Sequence, residues 1–100
     1  PVLLKGPARV IQHTSYLAEF KYGEILICDA VDPNMTFVVP LAAGVVERRG
    51  GMLIHGAIIA REYGLPCVTG IPDATRLIQN GDQVTVDGYL GIVTLGSSEL

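Results

Sequence analysis

The feature that most limits how this chain can fold is the shortness of its apolar runs. Ile25 to Cys28, Val45 to Glu47 and Cys67 to Thr69 are strand-like stretches of three or four residues, each followed by turn residues or glycine. Ile25 to Cys28 has no alternating polar position and reads as a strand covered on both faces. Helix signals fall between these runs. Asp32-Pro33-Asn34 opens a short helix over Met35 to Leu41, and Pro72-Asp73 opens another over Ala74 to Gln79, stopped by Asn80-Gly81. Gln83 to Asp87 alternates polar and apolar. After the turn residues Asp87-Gly88 and Gly91, Ile92 to Leu95 returns as its hairpin partner. Near the start, Ala8 to Gln12 reads as a strand, with Lys5-Gly6-Pro7 breaking it from the short apolar Val2 to Leu4, and Thr14 to Phe20 forms a short turn of helix. Short mixed strands, about three helices and a C-terminal hairpin specify a mixed α/β domain rather than a doubly wound nucleotide fold. There is no G-x-G-x-x-G and no Walker loop, so the chain is not expected to bind a nucleotide by itself.

Residues 1–100 read as a single domain, 49% hydrophobic and so able to bury one core. The formal net charge is −3, and the seven Lys and Arg residues form no basic stripe, which excludes nucleic acid as a partner. No apolar run approaches the roughly 20 residues of a membrane span, and residues 1–100 carry no charged-then-apolar pattern of the kind a signal peptide would show. Cys28 and Cys67 lie in apolar strand-like runs without metal-ligand spacing, so they are expected to be buried thiols of a cytoplasmic protein. A chain that begins at Pro1 without Met is expected to be excised from a larger multidomain protein.

The chemistry concentrates in Gly50 to Gly70, G-G-M-L-I-H-G-A-I-I-A-R-E-Y-G-L-P-C-V-T-G. Gly50 and Gly51 permit close approach of a ligand to the backbone. From Gly56 the pattern turns helical and runs to Gly64, a helix of about nine residues with His55 at or just before its first turn. The positive end of a helix and its unpaired N–H groups disfavour a protonated imidazole, which keeps a lone pair for nucleophilic attack. If the target is phosphorus, the new phosphoryl group is an anion, which helix starts and glycine-rich turns hold well. Gly51 and Gly56 leave room for its oxygens. The competing reading of His55 on residue type alone is a structural or surface histidine.

This run resembles the phosphohistidine, or swivelling, domain of enzymes that use phosphoenolpyruvate (PEP), such as pyruvate phosphate dikinase, phosphoenolpyruvate synthase, the rifampicin phosphotransferases and Enzyme I of the sugar phosphotransferase system. The shared pattern is the glycine pair, the histidine with small neighbours, the apolar pair and A-R-E before a glycine. Later come Gly81-Asp82, Val84 to Gly88, and Gly91 to Val93. The resemblance is strongest from Ala43 to Thr94 and implies the swivelling β/β/α fold. It maps the family's phosphoryl carrier onto His55, with Gly50, Gly51, Gly56 and Arg61 as its phosphate-binding surroundings. Arg61 lies in the matched A-R-E and either braces the glycine turn, pairs with an acid or contacts phosphate. The resemblance further implies that the domain itself needs no cofactor. ATP or PEP and Mg2+ would belong to partner domains of the same polypeptide, an ATP-grasp donor and an acceptor domain acting on pyruvate, PEP or another acceptor. One position departs from the pattern: Ile54 stands where the family commonly has Ser or Thr, so backbone N–H groups are expected to take over any contact that hydroxyl would make.

Other candidates have blander readings. Arg48 and Arg49 either steer a phosphate donor or end a solvated strand, the second being favoured. Asp29 and Asp32 read as loop residues before they read as an acid–base or metal pair, and His13-Thr14-Ser15 as a loop end. Two rival functions stand beside the carrier: a non-catalytic interaction module on the same fold, and a hydrolase using His13 or His55 with an aspartate.

Overall fold

The computed structural model describes residues 3–31, 33–35, 37–49, 61–62, 64–88, 90–96 and 98–100. Its strands are β1 (Leu3–Ile11), β2 (Ile25–Cys28), β3 (Gly44–Glu47), β4 (Cys67–Val68), β5 (Gln83–Asp87), β6 (Ile92–Leu95) and β7 (Ser98–Glu99). They form one sheet in the order β4-β3-β2-β1-β5-β6-β7. β1 divides it. Leu3 to Pro7 pair antiparallel with β5, and Ala8 to Ile11 pair parallel with β2. β2, β3 and β4 continue in parallel, while β5, β6 and β7 continue antiparallel.

The two halves curl onto each other. Ile25, Ile27, Val46 and Val68 of the parallel half share a buried cluster with Val84, Val86 and Val93 of the antiparallel half, and with Ala74 and Ile78. The other face of the parallel half carries Leu26, Cys28 and Val45. These pack on Ile11, Leu17, Phe20, Val31, Met35, Val38, Val39 and Ala42. β2 is therefore buried at all four positions, as an unbroken apolar run requires, whereas β5 alternates.

β1 runs straight through Lys5-Gly6-Pro7, where the sequence suggests a break. Alternate N–H groups of a strand point to opposite sides. Ala8 N–H donates to the Asp82 carbonyl on the β5 side (2.7 Å), so the N–H that Pro7 lacks would face β2. The β2 ladder begins one residue later, at Ala8, and no bond is lost. Gly6 is required for a different reason. A Cβ there would lie 2.7 Å from the Gly23 carbonyl oxygen. Gly23, at φ +88°, cannot easily retreat, because its N–H donates to the Leu41 carbonyl (2.8 Å). Gly6→Ala is expected to cost about 2–3 kcal/mol through overpacking, read as a thermal midpoint lowered by about 10 °C or more.

The helices among the described residues are fewer and shorter than the sequence suggests. Among the described residues the one α-helix with both ends defined is Ala74–Leu77, and Ile78 already has extended ψ. Met35 to Leu41 is not a helix but two 3-10 turns, Pro33–Met35 and Val39–Leu41. Pro40 accounts for this, since its ring has no N–H to donate and clashes with a preceding helical turn. Thr14–Glu19 is likewise a 3-10 turn. The expected central helix lies outside the described residues except for Arg61 and Glu62, which are helical. The C-terminal hairpin is as expected, with Val84 opposite Leu95 and Val86 opposite Val93. No helix among the described residues is long and apolar enough to cross a membrane.

Candidate functional site

Gly50, Gly51, His55 and Gly56 lie outside the described residues. The two ends of their segment are defined. At the far end, Arg61 is exposed and helical, and Gly64 has φ +69°, the left-handed conformation of a helix stop, with its N–H donating to the Arg61 carbonyl (3.3 Å). No ion pair reaches Arg61 among the described residues.

At the near end, β3 delivers the chain to Gly50 through Glu47, Arg48 and Arg49, and this stem is held on both sides. Arg48 and Arg49 N–H groups donate to the carbonyls of Cys28 and Asp29 (both 2.9 Å). From the other side, Gly70 N–H donates to the Arg49 carbonyl (3.1 Å) and Ile71 N–H to the Glu47 carbonyl (3.3 Å). Two side chains add to these ties. Arg48 donates to both carboxylate oxygens of Asp29 (2.7 and 3.3 Å). Glu47, 2% exposed, accepts the Val31 N–H at 2.6 Å. The stem thus leaves the sheet at the carboxyl end of β3, beside that of β2, the side of a parallel sheet on which open α/β folds bind ligands.

The electrostatics follow this layout. The Arg48 guanidinium holds the Asp29 carboxyl below its ordinary value by hydrogen bonding, against the effect of burial, and the Arg49 charge acts in the same direction. Burial pushes the Cys67 thiol up to about 12, with the Glu47 charge adding to the shift, so this sulfur is a packing group and not a nucleophile. Asp29 is therefore the partner of an arginine, and Asp32 lies outside the described residues. His13 sits in a bend. Its carbonyl accepts the Tyr16 N–H (3.0 Å), and its ring stands edge-on to that of Tyr16 at 6.4 Å.

Sequence reasoning passed over two acids. Glu47 stands out as one acid at the end of Val45-Val46-Glu47, and that was the available signal. Glu24 offered none, because its partner Arg9 is on another strand. Arg9 makes three hydrogen bonds to the two Glu24 oxygens (2.9 to 3.2 Å), and Lys21 N–H adds a fourth at 2.7 Å. Burial alone would raise the Glu24 pKa; Arg9 and Lys21 more than offset it, leaving the carboxyl below its ordinary value. A depressed carboxyl contributes stability that is present above its unfolded pKa and lost as pH falls through its folded pKa. Urea unfolding from pH 7 down to pH 3 should therefore show an acid limb in the wild type that is reduced in Glu24→Gln.

Comparison with known proteins places this fold in a class. Residues 20–91 match the family described as PEP-utilising enzyme, mobile domain, and the chain belongs to that family. It is 40% identical over 101 residues to a probable phosphoenolpyruvate synthase of Staphylothermus marinus, covering 99% of this chain and 12% of the relative. It is 42% identical over 94 residues to a rifampicin phosphotransferase of Streptomyces sviceus, covering 91% of this chain and 11% of the relative. An uncharacterised phosphotransferase of Bacillus subtilis, YvkC, is 39% identical over 92 residues, covering 92% and 11% respectively. The solution structure of an Enzyme I protein superposes with a TM-score of 0.69 at 30% identity, covering 80% of this chain and 33% of that one. The chain thus spans about a ninth of the length of these multidomain relatives.

Proposed function

We propose that this domain is the phosphoryl carrier of a PEP-utilising phosphotransferase, with His55 as the group that is phosphorylated. The observation that carries the proposal is that His55 and its glycine-rich surroundings fall inside the family match. A firmly held stem leading into the glycine pair supports it, because phosphoryl transfer depends on positioning and charge stabilisation more than on covalent help from the protein. An imidazole nitrogen attacks the phosphorus of the donor. The N–P bond forms as the bond from phosphorus to the leaving oxygen of ATP or PEP breaks, and the imidazole N–H proton is released. In the second step an acceptor oxygen takes the phosphorus and the imidazole is regenerated. Gly50, Gly51 and Gly56 would cradle the phosphate, and Arg61 would brace that turn.

The donor and acceptor sites belong to other domains: an ATP-grasp domain, and a domain for pyruvate, PEP or a different acceptor. Their Mg2+ and nucleotide would stay with them, in a cytoplasmic enzyme. The test is incubation with a matched donor domain and labelled ATP or PEP. Acid-labile, alkali-stable phosphate on His55 supports the carrier. Absence of label with a competent donor supports a non-catalytic interaction module, and hydrolysis by this domain alone supports the hydrolase.

A further inference from the structure

β1 loses its antiparallel partner part way along, and a cleft lies where that partner stops. On the β5 side the Ala8 N–H donates to the Asp82 carbonyl (2.7 Å), and the Ala8 carbonyl accepts the Gly81 N–H (2.9 Å). The backbone groups of Val10 face the same side, but the chain leading into β5 has already turned away. A side chain stands in for the missing strand: Asn80 Oδ1 accepts the Val10 N–H at 2.6 Å. Among the described residues nothing donates to the Val10 carbonyl, and the Gln12 N–H, the next on that side, meets no acceptor. The cleft beside these two groups has a volume of about 450 Å3, within the range of roughly 300–1,000 Å3 that holds ligands. Arg9, Gln12 and Tyr16 wall it from β1 and the turn that follows, and Arg76, Gln79 and Asn80 from the helix Ala74–Leu77 and the chain after it. Gln12 Nε2 spans to the Thr75 carbonyl (3.3 Å).

The chemistry of the walls selects the occupant. Both arginines are already matched, Arg9 to Glu24 (2.9 Å) with Glu19 at 3.8 Å, and Arg76 to Asp73 (2.8 Å). A small ion therefore finds no unbalanced charge there. Three carboxamides, an open carbonyl and an open N–H suit an uncharged chain of alternating donors and acceptors, which is an extended peptide backbone. We infer that this cleft is a strand-addition site, in which an extended segment from another domain of the same polypeptide pairs with the Val10 carbonyl and the Gln12 N–H. Such a segment has a source, because this chain spans only about a ninth of its multidomain relatives. Two main-chain hydrogen bonds make a short and reversible hold, which suits a family described as mobile. Nothing in this hold requires His55 to carry phosphate.

The test uses the full polypeptide, with the photoreactive residue p-benzoylphenylalanine replacing Gln79 on the cleft wall. Irradiation and mass spectrometry are expected to join the cleft to a segment outside residues 1–100. Gln12→Ala removes the side chain and keeps the N–H, so the cross-link yield should stay within about twofold, whereas Gln12→Pro removes the N–H and should lower it about tenfold. Position 12 accepts proline, since Ile11 before it is already extended and the lost N–H has no acceptor among the described residues. If Gln12→Pro nevertheless fails to fold, amide exchange in the wild-type polypeptide decides. The Gln12 N–H should exchange about tenfold or more slowly than in an unstructured peptide of the same sequence. Exchange at the peptide's rate, no cross-link beyond residues 1–100, a cross-link only to a second copy of this domain, or equal yields from folded Gln12→Ala and Gln12→Pro would each overturn the inference.

Discussion

Replacing His55 by alanine is expected to remove all acid-labile phosphate from the labelled domain while leaving its thermal midpoint nearly unchanged. The first half follows from the chemistry, because a carrier that loses its nucleophile has no second group to hold the phosphoryl in the same place. The loss should be complete rather than graded, beyond about a thousandfold in labelling rate. The second half follows from location. A carrier imidazole must be open to donor and acceptor, and a side chain in such a position changes stability by no more than about 0.5 kcal/mol when truncated. His55→Asn, which keeps a polar group of similar reach, should be equally unlabelled. A variant that retained label would move the phosphate to another residue and end the assignment. A variant that unfolded would show that His55 is a packing residue.

The largest effect on stability is expected at Glu47. Its carboxylate is buried and accepts the Val31 N–H at 2.6 Å, tying the loop after β2 to the end of β3. Glu47→Ala removes the acceptor, leaves a buried N–H without its partner and opens a void, together about 3 kcal/mol. For a domain of this size that lowers the midpoint by roughly 10–20 °C. Amide exchange at Val31 should accelerate in the same variant. Glu47→Gln keeps an oxygen at the same reach and should recover more than half of the loss. If Glu47→Ala melted within a degree or two of wild type, the tie between the loop and the stem would carry no weight. Because the stem leads directly to Gly50, a destabilised Glu47 variant should also label more slowly at temperatures where it is still folded.

Much of this could be read along the chain. The short strands at Ile25–Cys28, Gly44–Glu47 and Cys67–Val68 were visible as β-branched runs between turn residues, and so was the closing hairpin. Gly64 as a helix stop was also legible, since a glycine before Leu65-Pro66 has few other uses. Lys5-Gly6-Pro7 misled. The same residues that break a strand in isolation are tolerated where a strand changes partners, and that change is set by β2 and β5, far away in the chain. Met35 to Leu41 misled because the helix opened by Asp32-Pro33-Asn34 was read on through Pro40.

By itself the sequence determined most of the strand segments, though not the full length of β1 or the presence of β7, together with which turn closes the hairpin of β5 and β6, that the domain belongs with the mobile domains of PEP-utilising enzymes, and which histidine is the candidate nucleophile. Tertiary structure decided the rest: that Glu47 grips Val31, that Glu24 takes Arg9, and that of two adjacent arginines Arg48 is bound to Asp29 while Arg49 stands exposed. The physical reason is range. Periodicity and turn chemistry act over a few neighbouring residues and are written locally. The partner of a charge or a buried carboxylate is chosen by strands 15 to 19 residues apart that meet only when the sheet has formed.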